Sequence, residues 1–207
     1  LLDGSIINGR KVTQMHRFMN GLARLMAVLG GLVLTALIFV ICVSVLGRAL
    51  NTLLHSGPVV AVLGDFAQTL LDTGVGPILG DFELVEAGVA FAIFAFIPFC
   101  QITGGHATVD IFTAGLSVKL NRMIQMVVDI VFAAVLVLIA LQLYEGMLSK
   151  MQYRETTFLL QFPVWWSYAA SLVGAVVAAL VGIYIAIVRA GEFFGNRTIL
   201  SVGGAEH

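Results

Sequence analysis

The side chains able to do chemistry in this chain are few, and most sit at the edges of apolar runs. Among 207 residues there are four histidines, two cysteines and twelve carboxylates. His106 and Asp110 lie four apart, so on a helix they face each other. They read either as a hydrogen-bonded clasp fixing a turn or as a solvated helix N-terminus. Two ligands at an exposed turn are too few for a metal site. Glu83 and Glu86 lie three apart and share a helical face. They either pair with Arg48 or cap a helix start, where the helix dipole favours acids. Asp129 and Glu145 are sixteen residues apart, about 24 Å on a helix. Neither falls at the centre of its apolar run. Asp129 is a polar contact to a neighbouring helix or a snorkelling side chain.

Several chemistries lack their residues. A haem in a helix bundle needs histidines inside the membrane, and His16, His55, His106 and His207 all fall outside the apolar runs or at their edges. Cys42 and Cys100 sit singly in apolar runs, with no CxxC pair for redox exchange. No Walker loop, HExxH or nucleophile elbow occurs. The expectation is a non-catalytic chain with no resident cofactor or metal. A net charge of −1 argues against a nucleic-acid partner.

The elements that position these residues are membrane helices. Hydrophobic residues make up 59% of the chain and charged ones 11%, against about 25% charged in soluble domains. The expected fold is all-α and integral to the membrane, one domain over 1–207. Its four spans run approximately over 25–46, 82–103, 123–148 and 163–188. Each is long enough, at about 1.5 Å per residue, to cross a hydrocarbon core of about 30 Å. Lipid offers the backbone no hydrogen-bond partners, so each must be a helix. Between the first two spans, Val59, Val62, Leu63, Phe66 and Leu70 make a helical stripe. It predicts an amphipathic interfacial helix over about 58–73, and a second, shorter one is expected over 109–120.

Small residues recur where helices would meet. Gly30, Gly31, Thr35, Ser44 and Gly47 lie in or just after the first span, and Gly174, Ala178 and Gly182 recur in the fourth. Pro98 is expected to bend the second span, and Gly104-Gly105 to stop it. Trp165, Trp166 and Tyr168 are read as anchors in the membrane interface. Counting Lys and Arg with the N-terminus inside places eight on the cytoplasmic side and three opposite. That favours both termini inside.

The ordered motifs resemble those of one family. Arg48 and Asn51 follow the first span, and Glu83 and Glu86 enter the second. His106-Ala-Thr-Val-Asp110 is similar to an H-x-x-V-D step after span two. Thr157-Phe-Leu-Leu-Gln-Phe-Pro163-Val-Trp-Trp is similar to a T-x-x-L-x-x-P-x-W/Y entrance to span four. Together they resemble the DctQ-type small membrane subunit of TRAP (tripartite ATP-independent periplasmic) transporters. The resemblance implies a scaffold in the bacterial inner membrane, beside a large membrane subunit that carries the substrate and sodium sites. A periplasmic solute-binding protein would deliver an organic acid, and uptake would be driven by sodium. Arg48, Asn51, Glu83, Glu86, His106, Asp110 and Asp129 would then lie at the partner interface. The alternative is a stand-alone oligomeric channel or carrier, which needs a polar pathway through the subunit itself.

Overall fold

A computed structural model describes residues 3–56, 76, 78–103 and 118–195. The expected interfacial helix at 58–73 lies outside them, as do His106 and Asp110. Of the stretch 109–120, only its last three residues are described, and they form the first turn of a membrane helix.

Four helices follow one another: α1 (Asp3–Leu54), α2 (Asp81–Thr103), α3 (Val118–Gln152) and α4 (Trp165–Gly195). All four are long and apolar enough to cross a membrane, and the chain is a multi-pass membrane protein. Among the described residues the only β-pairing is an isolated bridge between Thr156 and Pro163.

Helix α1 starts well before the first span expected at 25–46. Its 52 residues extend about 78 Å. No proline interrupts residues 3–54, and an isolated glycine such as Gly9 or Gly21 costs a helix only about 1 kcal/mol. Polarity in the first twenty residues therefore marks where the helix leaves lipid, not where it ends. Helix α2 runs without a break through Pro98, which is buried, to Thr103; the expected stop at Gly104-Gly105 lies outside the described residues.

The helices pack in the order α1, α2, α4, α3, with a smaller contact between α1 and α4. Helix α4 is the most enclosed: half of its apolar window is buried, against 11–17% in the others. Small residues make the crossings. Gly30 of α1 lies against Ala95 of α2, and Leu37 lies against Gly88. Seven residues forward on α1 thus match seven back on α2, and the two run antiparallel. On the other side of α2, Gly174 of α4 lies against Phe94 and the backbone of Ala95. A Cβ on Gly174 would stand 2.9 Å from the Phe94 Cβ and 3.2 Å from the Ala95 nitrogen. Only glycine permits that approach. Ala95 is fully buried between the two crossings.

The small-residue row of α4 is thus used inside the subunit. Gly174 meets α2, Ala178 is buried with Leu136 of α3, and Gly182 meets Leu136, Ala133 and Gln101. This close contact replaces the hydrophobic drive that lipid cannot supply.

Candidate functional site

Two polar groups of contacts tie the helices, one at each end of the layer. At the first, the α1 register brings Ser44 opposite Asp81, the first residue of α2. Ser44 is fully buried and donates its hydroxyl to Asp81 Oδ2 at 2.6 Å. Its oxygen also accepts the Ile78 N–H at 3.2 Å. Arg48, one turn on, lies 3.4 Å from the same Asp81 oxygen. The other oxygen, Oδ1, accepts the Phe82 N–H at 2.8 Å, one of the first-turn N–H groups that has no helical carbonyl to bond.

The pairing of Arg48 with Glu83 or Glu86 is not formed. Arg48 meets Asp81 because that carboxylate is the one on the α1 side of the helix start. Glu83 turns to the α3–α4 connection instead. Its Oε1 accepts the Leu159 N–H at 2.6 Å and its Oε2 the Leu160 N–H at 2.9 Å. Glu86, one turn along, is exposed. Asn51 is half-buried, with its amide near Gly76.

The connection that Glu83 holds is a tight structure. Thr157 N–H donates to Phe162 O at 3.0 Å, and Val164 N–H donates to Glu155 O at 3.0 Å. Arg154 and Gln161 take left-handed backbone angles, φ 51° and 53°, which turn the chain at both shoulders of this small hairpin. Lys150 and Glu155 pair across one shoulder at 2.6 Å. Leu160 then packs on Gly80, whose φ of +79° and lack of a Cβ leave room for it.

At the opposite end, Arg189 of α4 reaches α3. Its Nη1 donates to Gln125 Oε1 at 2.6 Å, and its Nε lies 3.1 Å from Asp129 Oδ2. Asp129 is therefore a contact between neighbouring helices, one of the two readings its sequence position allowed. Nearby, the Tyr184 hydroxyl and His16 Nδ1 are 3.4 Å apart, joining α4 to α1.

The aromatic group divides. Trp165 and Trp166 meet edge to face, with ring centroids 6.1 Å apart. Trp166 is exposed, whereas Tyr168 turns its ring onto Gly146 of α3. Tyr168 is thus a packing residue between α3 and α4.

This arrangement connects helices. Two ion pairs cross between helices, and among the described residues no group of three His, Cys, Asp or Glu side chains could hold a metal ion. A family model described as "Tripartite ATP-independent periplasmic transporters, DctQ component" matches residues 37–191.

The chain belongs to the DctQ family.

It is accordingly the small membrane component of a TRAP transporter. No curated protein and no solved structure matches it. The matched residues take in Ser44, Asp81, Glu83, the 153–164 connection and the Arg189 contacts, so both polar ties lie within the DctQ region. Sequence reasoning passed over Ser44 as a polar partner, and also Asp81, Gln125 and Arg189. Asp81 had a readable signal, an acid between Gly80 and an apolar helical run, where acids gather in the first turn of a helix. Gln125 and Arg189 had none, because each is an ordinary polar residue near a span end.

Proposed function

We propose that this DctQ subunit is a non-catalytic scaffold for the large membrane subunit of a sodium-driven TRAP transporter that imports organic acids. It holds no cofactor, and sodium and solute bind on the large subunit. It sits in the bacterial inner membrane with both termini inside. A periplasmic solute-binding protein delivers the acid to the assembled pair.

The observation that supports a scaffold is how the polar groups inside the layer are used. Ser44 with Asp81, Glu83 with two peptide N–H groups, and Arg189 with Asp129 and Gln125 each tie one element to another. Ion-coupled carriers place ionisable groups and broken helices near the midplane. Here the ties lie near the helix ends, and glycine and alanine crossings occupy the middle. Such a layer resists sliding. His106 and Asp110 belong to this reading as a clasp at the cytoplasmic turn.

The test is co-purification of the tagged chain from native membranes in mild detergent. A many-span membrane protein recovered at one-to-one supports the scaffold. Proteoliposomes holding that pair, with the solute-binding protein outside, then take up a small carboxylic acid only under an inward sodium gradient. The chain recovered alone, as a homo-oligomer that conducts solute in liposomes, overturns the reading.

A further inference from the structure

Helix α1 carries two rows of residues at strict seven-residue spacing on one side. Phe18, Leu25, Leu32, Phe39, Leu46 and Leu53 form the first. Gly21, Val28, Thr35, Cys42 and Ala49 form the second. The first row is uniformly large and apolar, and the second holds nothing larger than valine. The rows are offset by three and four residues, so they share a face. Every member is exposed, the first row by 52–70%. Directly opposite, Ala23, Gly30, Leu37 and Ser44 form the buried row, and Gly30, Leu37 and Ser44 contact α2. Large and small rows alternating every 3.5 residues make the seam into which a second helix packs knobs into holes. Thr35 returns its hydroxyl to the Gly31 carbonyl at 2.8 Å, so the seam makes no polar demand there.

Lipid alone does not account for this face. Helix α4 also carries a large exposed row, Trp166, Val173, Leu180 and Ile187, but with Ile183 in the row beside it there is no small row to complete a seam. The outward seven-residue rows of α3 are mixed. One is Val127, Ala134, Leu141 and Leu148, and the other is Val131, Leu138, Glu145 and Gln152. The α1 seam is also longer than the hydrocarbon core. Phe18 to Leu53 spans about 53 Å, and a tilt of about 40° still leaves about 40 Å against a core of about 30 Å. Phe18 and Leu53 at its ends are 64% and 58% exposed.

Charge separates the possible occupants. Arg17 and Arg24 flank the seam at the same seven-residue spacing, and both are exposed. Asp3 is the only carboxylate among residues 3–54. A second copy packed in parallel would set arginine against arginine. An antiparallel copy would bring residues near 46–53 opposite them, where α1 has no acid.

We propose that this face of α1 is the docking seam for one helix of the large membrane subunit, an apolar helix with carboxylates opposite Arg17 and Arg24. The inference rests on the scaffold reading above and adds the surface that does the scaffolding.

The test uses the whole complex. Thr35→Leu with Cys42→Leu fills the small row on a side that the subunit's own fold leaves open. The expected result is a loss of at least about tenfold in recovered large subunit, with this chain still monodisperse in the membrane. Ala134→Leu on α3 leaves recovery unchanged within about twofold. In the otherwise wild-type complex, p-benzoylphenylalanine at Phe39 forms a light-induced adduct with the large subunit, and at Leu138 it does not. Full recovery with the filled row, or an adduct only between two copies of this chain, overturns the seam while the scaffold reading stands. Failure of the wild-type chain to bring down any large subunit overturns both.

Discussion

The buried hydroxyl of Ser44 donates to the carboxylate of Asp81 at 2.6 Å, across the antiparallel pair α1 and α2. The contact falls on the register set by Gly30 with Ala95 and by Leu37 with Gly88. The same oxygen of Ser44 accepts the Ile78 N–H, so one hydroxyl both fixes the start of α2 and satisfies the turn before it.

Ser44→Ala removes the donor to Asp81 and the acceptor for Ile78 together. The expected outcome is a fall of about 2–4 °C in the unfolding temperature of the purified subunit. Ser44→Thr, which keeps the hydroxyl, should fall less. Equal unfolding temperatures for Ser44→Ala and wild type would show that the hydroxyl contributes nothing to the pairing.

Glu83 accepts two successive peptide N–H groups with its two oxygens. A glutamine keeps only one of those acceptors and points an NH2 group at the other N–H. Glu83→Gln should therefore loosen the 153–164 connection while leaving the four helices in place. Hydrogen exchange at the Leu159 and Leu160 amides should speed up by about tenfold or more, reflecting the loss of a charge-assisted bond. Unchanged protection there would contradict the tie.

Asp129 and Arg189 couple α3 to α4, and both side chains are roughly three-quarters buried. Removing either partner alone leaves a charge poorly compensated. A double-mutant cycle with Asp129→Asn and Arg189→Gln should return a favourable coupling of about 0.5–3 kcal/mol in thermal or denaturant unfolding. Strictly additive effects would mean that the two charges are held near each other by the helices without stabilising them.

Gly174→Val places a branched side chain against Phe94 and the Ala95 backbone. The α2–α4 crossing must then open, at a cost of about 1–3 kcal/mol. Gly191→Ala, where nothing lies within 4 Å of a new Cβ, should be neutral. Yield of monodisperse protein and its unfolding temperature distinguish the two. A tolerated Gly174→Val would show that the crossing is not close-packed.

Much of the membrane architecture was legible in the residues alone. Apolar length announced four spans, and lipid's lack of hydrogen-bond partners made them helices. The T-x-x-L-x-x-P-x-W pattern before the last span, with the motifs preceding it, already resembled the DctQ type. Less legible was the extent of α1, because polar residues at a membrane boundary do not stop a helix. The partner of Arg48 was not legible for a related reason. Asp81, Glu83 and Glu86 are all within helical reach in sequence, but only rotation about the α2 axis decides which carboxylate faces α1.

Sequence by itself determined which four described segments are long and apolar enough to cross lipid and which family the chain belongs to, because both depend on residues read along a single strand of chain. Tertiary structure alone decided the order α1, α2, α4, α3, the use of Gly174 and Gly182 inside the subunit, and the attachment of Glu83 to Leu159 and Leu160. Those features join segments up to about eighty residues apart in the chain. Apolar helix faces look alike to lipid, so their neighbours are chosen by close contact between backbones and by the few polar groups that must find each other.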